Sequence, residues 1–393
     1  MNLLVVSHKR CWKDDSSPTG YVTYGGFPIQ MRAISTMFDS TKLALPLVPG
    51  KPPAGALPLT GHNLSVIPIP SPRGTEFMRK LHMLFVWLPV NIMKLWGMVA
   101  KADAVHTPIP GDVGLIGTLI AHVQRKPLFV RHCGNWLNAD TSTRRFIQWY
   151  MVHYAGGKRV MYATGYNSTP PSKENPNIDW IFSTSLTENQ LKAYASNKSV
   201  PDKLAVRLIT VCRQVKIKGV DTAIRAASRL AETYNVTLSV LGEGEDLEYH
   251  KRVAKDEGIE NTVHFMGNQP HPVVMEEFGK ADVFLFVTRS SEGFPKAVLE
   301  GLASGLPTIS TAVSVIPILL KNGAGTIVEP LAVDDIVQAI RSYIDDEQVY
   351  MKASQAAVEA ASAYSLESWV STIRTKLEAS WNVSLRHDIS ILS

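Results

Sequence analysis

Two glutamates in the segment SSEGFPKAVLEGLASGLPTIST, residues 290–311, have a spacing that suits ligand binding. Glu300 follows Glu292 by eight residues, a little over two helical turns, so both carboxylates can meet one elongated ligand. A loop that enters a helix presents free backbone N–H groups and the positive end of the helix dipole, which suit a phosphate or a sugar hydroxyl. A solvated helix with two surface glutamates is the alternative that spacing leaves open. The loop residues expected to meet the ligand are Gly293, Phe294 and Lys296.

Two basic residues, Arg213 and Lys218, form a second candidate group. They follow a predicted strand and precede a helix that Gly219 opens. Cations at the carboxyl edge of a parallel sheet suit a diphosphate, with arginine as a fork and lysine as a mobile point charge. Basic residues in such a loop are also common as ordinary solubilising surface, and this alternative stays open.

The elements that position both groups follow from hydrophobic periodicity in the second half of the chain. Continuous apolar strands separated by amphipathic helices indicate a parallel sheet covered on both faces. The predicted strands are 204–212, 236–242, 262–267, 282–287 and 307–311, and the predicted helices are 220–234, 246–257, 271–280 and 295–304.

The first half of the chain repeats this pattern more loosely. Its strand candidates are NLLVVS, ADAVHTP and KPLFVRHC, and the proline-rich stretch from Leu45 to Pro72 is expected to form loops. The fold class predicted is therefore α/β, with two Rossmann-like, doubly wound domains facing a central cleft, and ligands at the carboxyl ends of the strands.

Composition and charge exclude several classes of protein. The chain has 393 residues, 45% of them hydrophobic and 19% charged, which suggests two domains and excludes disorder, collagen and small disulfide scaffolds. Three distant cysteines form neither a disulfide framework nor a metal-type pair and favour a reducing compartment. A net charge of +5 is too small to indicate a nucleic-acid binder. Residues 1–182 carry a net +10 and residues 183–393 a net −5, so the first half favours an anionic surface or substrate.

Motifs of several other chemistries are missing from the sequence. It contains no GxxxxGK[ST] loop, no HExxH and no GxSxG, and the Gly242/Gly244 pair lacks the third glycine of a dinucleotide fingerprint. No Asp-x-Asp occurs either, which removes the usual metal-clamped diphosphate site. We therefore expect no metal and no cofactor, with Arg213, Lys218 and helix N-termini in place of the cation.

The order of these motifs resembles glycosyltransferase family 4, the retaining, nucleotide-sugar-dependent enzymes of GT-B architecture. The resemblance covers most of residues 205–311: an arginine five residues before Lys-Gly, a strand ending Gly-x-Gly, a strand ending FxG, ADVFLFV, the paired glutamates and SGLPTIST. By this resemblance Arg213 and Lys218 bind the donor diphosphate, Glu300 binds the nucleotide ribose, and Glu292 lies against the donor sugar. Gly242 belongs to the same nucleotide-binding set.

The first half resembles the family more faintly. TYGGFPIQMRAI looks like the glycine loop after the first strand, where Gly25 and Gly26 let a helix N-terminus approach the diphosphate. His132 ends a strand near the place of the family's active-site histidine, which touches the donor sugar; a packed, hydrogen-bonded histidine beside Trp136 is the alternative. The chain departs from the family after Thr311, where a Gly-Gly-x-Pro-Glu stretch is common and TAVSVIPILLKNGAG stands instead.

The resemblance implies a hexosyltransferase-like enzyme that moves a sugar from a nucleoside diphosphate sugar to a glycan or lipid-linked acceptor, in surface polysaccharide or glycolipid assembly. A non-catalytic sugar-nucleotide or carbohydrate-binding protein of this fold, or a GT-B epimerase or phosphorylase, are the alternatives. The domains expected are an acceptor-binding domain (1–182), a linker (183–203), a nucleotide-sugar-binding domain (204–363) and a helical segment crossing back to the first (364–393).

The apolar stretch from Leu81 to Ala100 bears on localisation. His82, Pro89, Asn91 and Lys94 interrupt it, so we predict that it does not span a membrane. Two readings remain: a buried helix of the first domain, or a surface segment that meets an anionic membrane beside basic neighbours. We expect a cytoplasmic protein, membrane-associated on the cytoplasmic face under the second reading.

Overall fold

The computed structural model describes the chain except residues 73, 75, 138, 166–168, 196–197, 291–292, 389 and 393, and describes only the backbone of residues 76, 77, 80 and 391. The chain divides into two compact units. Unit 1 is Met1–Ser185 with Leu366–Ser393, and unit 2 is Leu186–Ser365.

The strands form three sheets. In chain order they are β1 (Asn2–Val6), β2 (Trp12–Lys13), β3 (Tyr21–Thr23), β4 (Ser40–Leu47), β5 (Leu57–Pro58), β6 (Leu64–Pro70), β7 (Ala104–Ile109), β8 (Leu128–His132), β9 (Arg159–Thr164), β10 (Ile178–Ile181), β11 (Val206–Val211), β12 (Val236–Leu241), β13 (Val263–Gly267), β14 (Val283–Phe286), β15 (Thr308–Thr311) and β16 (Gly325–Val328). Unit 1 holds a parallel sheet of order β10-β9-β8-β7-β1-β4-β6 and a small antiparallel sheet β2-β3-β5, and unit 2 holds a parallel sheet of order β13-β12-β11-β14-β15-β16.

The helices connect these strands. They are α1 (Phe27–Ser35), α2 (Glu76–His82), α3 (Leu88–Lys101), α4 (Asp112–Val123), α5 (Ser142–Tyr154), α6 (Glu188–Tyr194), α7 (Val220–Ala231), α8 (Leu247–Asp256), α9 (His271–Lys280), α10 (Lys296–Ala303), α11 (Ile316–Leu319), α12 (Val333–Asp345), α13 (Glu347–Ser362) and α14 (Leu366–Trp381). Short 3₁₀ turns occur at Lys216–Lys218 and Ser390–Leu392, and a π-helical turn, Met83–Trp87, joins α2 to α3.

Helices cover both faces of the unit 1 sheet. Alternate residues of β1 point to opposite sides: Leu3 and Val5 join the core under α1 and α14, whereas Leu4 and Val6 join the core under α3, α4 and α5. Both sets are almost fully buried. This two-sided burial explains why the strand sequences are continuous apolar runs, and it makes unit 1 doubly wound.

Unit 2 is built in the same way. The strands β11, β12 and β14 pack with α7, α8 and α12 in one core that includes Leu208, Ile224, Leu238 and Ile340. The strand and helix order predicted for residues 204–311 agrees with these elements, with differences of a few residues at their ends. The predicted α/β class with two Rossmann-like, doubly wound domains is confirmed.

The structure corrects the loop prediction for the proline-rich stretch from Leu45 to Pro72. This stretch contains β6 and the end of β4. Because β6 is the edge strand of its sheet, Pro68 and Pro70 need no partner on the open side. Prolines therefore did not exclude a strand here.

The expected linker, 183–203, also contains regular structure. Its centre forms α6, which begins at a capping box where Thr187 accepts from the Gln190 N–H and the Gln190 side chain accepts from the Thr187 N–H. Leu191 on this helix is buried within unit 2.

Candidate functional site

The predicted site residues of unit 2 lie at the carboxyl ends of its central strands. The sheet order changes direction between β11 and β14, and a crevice at such a switch point is the usual ligand site of an open α/β sheet. The loops after these two strands touch one another: Nζ of Lys218 lies 3.4 Å from Oγ of Ser290, and the Arg289 N–H donates to Ile217 O at 2.8 Å.

Two glycines let the backbones in this region approach closely. Gly242, after β12, has φ +115°, and a Cβ there would lie 2.1 Å from Cys212 O in the loop after β11. Gly219 has φ +75°, and its Cβ would lie 2.2 Å from Val287 O after β14. No side chain fits at either distance, so the glycines fix how the three strand ends pack together.

The two predicted cations differ in their surroundings. Arg213 is exposed and forms no ion pair with any residue that the structure describes. Lys218 is half-buried at the last position of the 3₁₀ turn before α7, beside Ser290. One cation therefore projects into solvent and the other is held against the loop after β14, an arrangement that suits an entering anion.

Glu300 is buried, with 8% of the residue exposed, on α10. Its Oε1 lies 3.2 Å from Nε2 of His271, the first residue of α9. This hydrogen bond raises the pKa of His271, and burial of the imidazole opposes the rise. In the described part of the chain Oε2 of Glu300 receives no hydrogen bond, so one carboxylate oxygen is available to a hydroxyl donor.

The loop that precedes α10 is only partly described. Glu292 lies outside the described residues, so its predicted position against the donor sugar has no structural account. Gly293 is half-buried, Phe294 is buried with its ring centroid 5.5 Å from that of Tyr364, and Lys296 begins the helix. Glu300 therefore lies on the helix that this loop enters, and Lys218 contacts the same loop through Ser290.

His271 was not among the site residues predicted from the sequence. The signal that identifies it is its position. His271 begins α9, the helix that follows β13, just as Lys218 and Lys296 lie where the chain passes from β11 and from β14 into the next helix. Polar residues just after strand ends of one parallel sheet meet at one edge, whatever their separation in sequence. The residues predicted for the site of unit 2 follow β11, β12 and β14, and none of them follows β13.

Unit 1 has a second switch point, between β1 and β7. His8 follows β1, and Gly111 precedes α4 directly beside it, because a Cβ on Gly111 would lie 2.1 Å from Nδ1 of His8. A Cβ on Gly134, after β8, would lie 3.7 Å from Cδ of Pro110 and 3.5 Å from Cε1 of His132. The ends of β1, β7 and β8 therefore form one continuous edge.

His132 ends β8 and is completely buried beside Trp136, with ring centroids 5.3 Å apart and nearly perpendicular. Burial lowers the pKa of His132 to about 4, so the imidazole is neutral at pH 7. Neither ring nitrogen has a hydrogen-bond partner among the described residues, unlike His106, whose Nδ1 bonds to Phe129 O at 2.9 Å. A packed histidine without partners is costly, and a ligand hydroxyl that reached it would satisfy one nitrogen.

Gly25 and Gly26 precede α1, as the sequence predicts for a loop that opens a helix. Gly25 is exposed with φ +74°, and Gly26 is the N-cap residue, without a side-chain cap. Lys9 lies next to them, with Nζ 3.5 Å from the centroid of the Tyr24 ring. Lys9, which the sequence analysis did not single out, adds a cation beside this helix N-terminus.

Comparison with known families supports the predicted nucleotide-sugar-binding role of the segment that forms unit 2. Residues 195–360 match the family model "Glycosyl transferases group 1". The matched segment covers most of unit 2, and the two doubly wound units with parallel sheets agree with the GT-B architecture that the sequence predicts.

Two curated relatives share this region. The chain is 28% identical over 180 residues to poly(glycerol-phosphate) alpha-glucosyltransferase of Bacillus subtilis, an alignment that covers 44% of this chain and 26% of the relative. It is also 28% identical over 163 residues to D-inositol 3-phosphate glycosyltransferase of Corynebacterium aurimucosum, covering 39% and 38%. The alignments thus span about a quarter to two fifths of these relatives.

A solved structure matches almost the whole chain. The Anabaena protein Alr3699/HepE, crystallised with UDP and glucose, superposes with a TM-score of 0.67 at 15% identity, over 96% of this chain and all of that one. At this identity the match shows the shared fold.

Proposed function

We propose that the chain is a retaining, metal-independent glycosyltransferase that moves a sugar from a nucleoside diphosphate sugar to the hydroxyl of a glycan or lipid-linked acceptor. The observation that carries the proposal is the contact of Lys218 with the loop after β14, beside exposed Arg213, at the switch point of unit 2. The group 1 match over residues 195–360 supports it, as does the relation to named glycosyltransferases.

Each site residue has a role in this proposal. Arg213 and Lys218 stabilise the negative charge that grows on the diphosphate as the glycosidic bond breaks. The acceptor oxygen forms a bond to the sugar carbon that carried the diphosphate. The phosphate oxygen leaves with the electrons of the broken bond, and it accepts the acceptor's proton on the same face of the sugar. Glu300 accepts hydrogen bonds from the ribose hydroxyls. The roles predicted from the resemblance are proposed for the other residues: Glu292 and His132 contact the donor sugar, and Gly25 and Gly26 contact the diphosphate.

Surface polysaccharide or glycolipid assembly is the setting that we propose for this activity. The first relative named above transfers glucose to poly(glycerol phosphate), as its name says, and the second acts on inositol 3-phosphate. Both names describe phosphorylated acceptors, which suits the net +10 of residues 1–182.

A non-catalytic binding protein with the same pocket is the second candidate. The stretch after Thr311 keeps it open, because α11 stands where the family resemblance expects glycines and a glutamate. Incubation with UDP-, GDP- and ADP-sugars separates the two: a binder is stabilised by its ligand, by about 2.7 kcal/mol at a hundred times the dissociation constant, but releases no nucleoside diphosphate. Product analysis without acceptor separates a transferase from an epimerase or phosphorylase.

Glu300→Ala should weaken binding of the nucleotide by about 1 to 3 kcal/mol, because ribose hydroxyls would lose their acceptor in a desolvated pocket. Calorimetric titration with the nucleotide that stabilises the wild-type chain measures this. Glu260→Ala is the control, since it removes an exposed glutamate near the opposite, amino end of β13. Unchanged affinity in Glu300→Ala would contradict the ribose assignment.

Transfer should continue at the same rate in excess EDTA, because Arg213 and Lys218 supply the positive charge that a divalent ion supplies in metal-dependent transferases. The measurement is initial rate with and without chelator, followed by addition of Mg²⁺ or Mn²⁺. A rate that falls with EDTA and returns with the divalent ion would refute the metal-free mechanism.

A further inference from the structure

The outer surface of α3 and of the π-helical turn before it is strongly apolar. Val90 and Met93 on α3 are 72% and 74% exposed, and Phe85 on the turn is 69% exposed. Trp96, one turn further along α3, is 40% exposed. Large apolar side chains clustered on one exposed helix face are unusual on a soluble monomer and indicate an interaction surface.

The opposite face of the same helix is anchored in unit 1. Met83, Trp87, Leu95 and Val99 are buried in the core with the strands, and Nε1 of Trp87 donates to Pro70 O. Met83–Lys101 is long and apolar enough to cross a membrane, and 28% of its apolar window is buried. The buried side chains are the ones that pack with the strands of the sheet. Because the inner face of this helix is packed on the sheet, its outer face is the one left to a partner.

The apolar surface continues onto the neighbouring helices. Val123, exposed at the end of α4, precedes Gln124, whose side chain donates to Trp96 O at 3.0 Å. Next, His122 packs against Tyr154 of α5 with ring centroids 4.7 Å apart. Two half-exposed aromatic rings, Phe146 and Trp149, lie stacked on the same helix α5, 5.7 Å apart.

Charge completes the description of this surface, which we call the α3–α5 face (residues 77–101, 113–126 and 141–158). These three ranges contain no aspartate or glutamate. Eight basic residues with described side chains belong to them: Arg79, Lys94, Lys101, Arg125, Lys126, Arg144, Arg145 and Lys158. Two aspartates at the borders of these ranges pair with basic residues of the face, Asp112 with Arg79 at 3.4 Å and Asp140 with Arg144 at 2.8 Å, and the remaining basic residues leave an excess of positive charge. Amphipathic aromatic rings together with such an excess are suited to the headgroup region of an anionic bilayer.

We propose that the α3–α5 face docks unit 1 onto the surface of an anionic membrane, with Val90, Met93 and Trp96 inserted among the headgroups. Lys94 and Lys101, both exposed on α3, contact the lipid phosphates. A second copy of the chain is disfavoured as the occupant, because like charges would then face each other across the interface. This inference goes beyond the proposed function, since lipid binding needs neither donor nor acceptor.

Co-sedimentation of the full chain with vesicles tests the inference. Phosphatidylcholine vesicles with and without 30% phosphatidylglycerol, a composition chosen to give about one anionic lipid in three, are compared at low and high salt. We expect binding to the anionic vesicles alone, weakened by salt. Val90→Asn/Met93→Asn should weaken it about tenfold or more, because two apolar side chains no longer enter the lipid.

Matched variants distinguish binding through the α3–α5 face from non-specific binding of the protein to lipid. Leu204→Asn replaces an equally exposed leucine, 76% exposed, in unit 2 and should leave binding unchanged. Lys94→Gln/Lys101→Gln should weaken binding about tenfold, whereas Lys321→Gln/Lys352→Gln, which removes two exposed lysines of unit 2, should not.

Three results would overturn the proposal. They are no binding to either vesicle, equal binding of wild type and Val90→Asn/Met93→Asn, and equal binding to neutral and anionic lipid. Light scattering that shows a dimer which Val90→Asn/Met93→Asn dissociates, without lipid binding, would assign the face to a second copy instead. Sugar transfer to a soluble acceptor, measured on the same variants, reports separately on the proposed function.

Discussion

Arg213→Gln lowers the turnover number by about 10²- to 10³-fold and the affinity for the donor much less, because this cation is needed most when charge develops on the leaving diphosphate. Arg213 is the sharper of the two cation tests, since it is exposed and has no ion pair among the described residues. Its replacement should therefore leave stability unchanged.

Lys218→Gln should lower turnover to a similar extent. Because Lys218 also contacts Ser290, its variant is compared with Arg213→Gln by thermal unfolding before the rates are compared. Arg252→Gln, which neutralises an exposed arginine on α8, is the control for net charge. Equal losses in turnover and donor affinity would indicate simple binding of the diphosphate.

Gly242→Ala lowers the free energy of unfolding by about 3 kcal/mol or more, because the new Cβ is strained by a positive φ and also meets a carbonyl oxygen. That oxygen belongs to Cys212, 2.1 Å from the Cβ position. Relief requires the loops after β11 and β12 to separate, so donor binding by Arg213 should fall as well.

The matched control is Gly258→Ala. Gly258 has φ +73° but open space within 4 Å of its Cβ position, so its substitution costs only the backbone strain, about 1 to 2 kcal/mol. Urea unfolding of both variants separates strain from collision. Losses of the same size would mean that the approach of the two loops matters little.

Local patterns predict unit 2 well because its strands and helices alternate at their ordinary lengths. The placement of Arg213 and Lys218 after β11, and of Glu300 on the helix after β14, follows from that order. His271 does not follow, because nothing in a histidine at the start of a helix states that a glutamate 29 residues later will bond to it. Contacts across a sheet depend on strand order, which the sequence does not state.

In unit 1 the prolines hid the strand β6, because a strand at a sheet edge obeys weaker rules than a central one. The expectation for Pro89 was also wrong, for a different reason. The proline was expected to break the apolar segment, yet it stands near the start of α3, and the π-helical turn before it absorbs the irregularity. Of the segment Leu81 to Ala100, one face is packed in the core, as the first reading expects, and the other is exposed. Contact of the exposed face with a membrane stays a prediction.

Unit 1 is built from two segments of the chain, one before and one after unit 2, so its last helix is synthesised after unit 2. Trp369, Ile373 and Leu377 of α14 are fully buried in the core beneath α1, yet they emerge from the ribosome only after all of unit 2. Unit 2 is continuous and can complete its core first, while one face of the unit 1 sheet is covered by α1 but still lacks α14. Until α14 has been synthesised, the apolar surface that it covers in the finished protein stays exposed, so the rate at which the final segment is translated governs how long that exposure lasts.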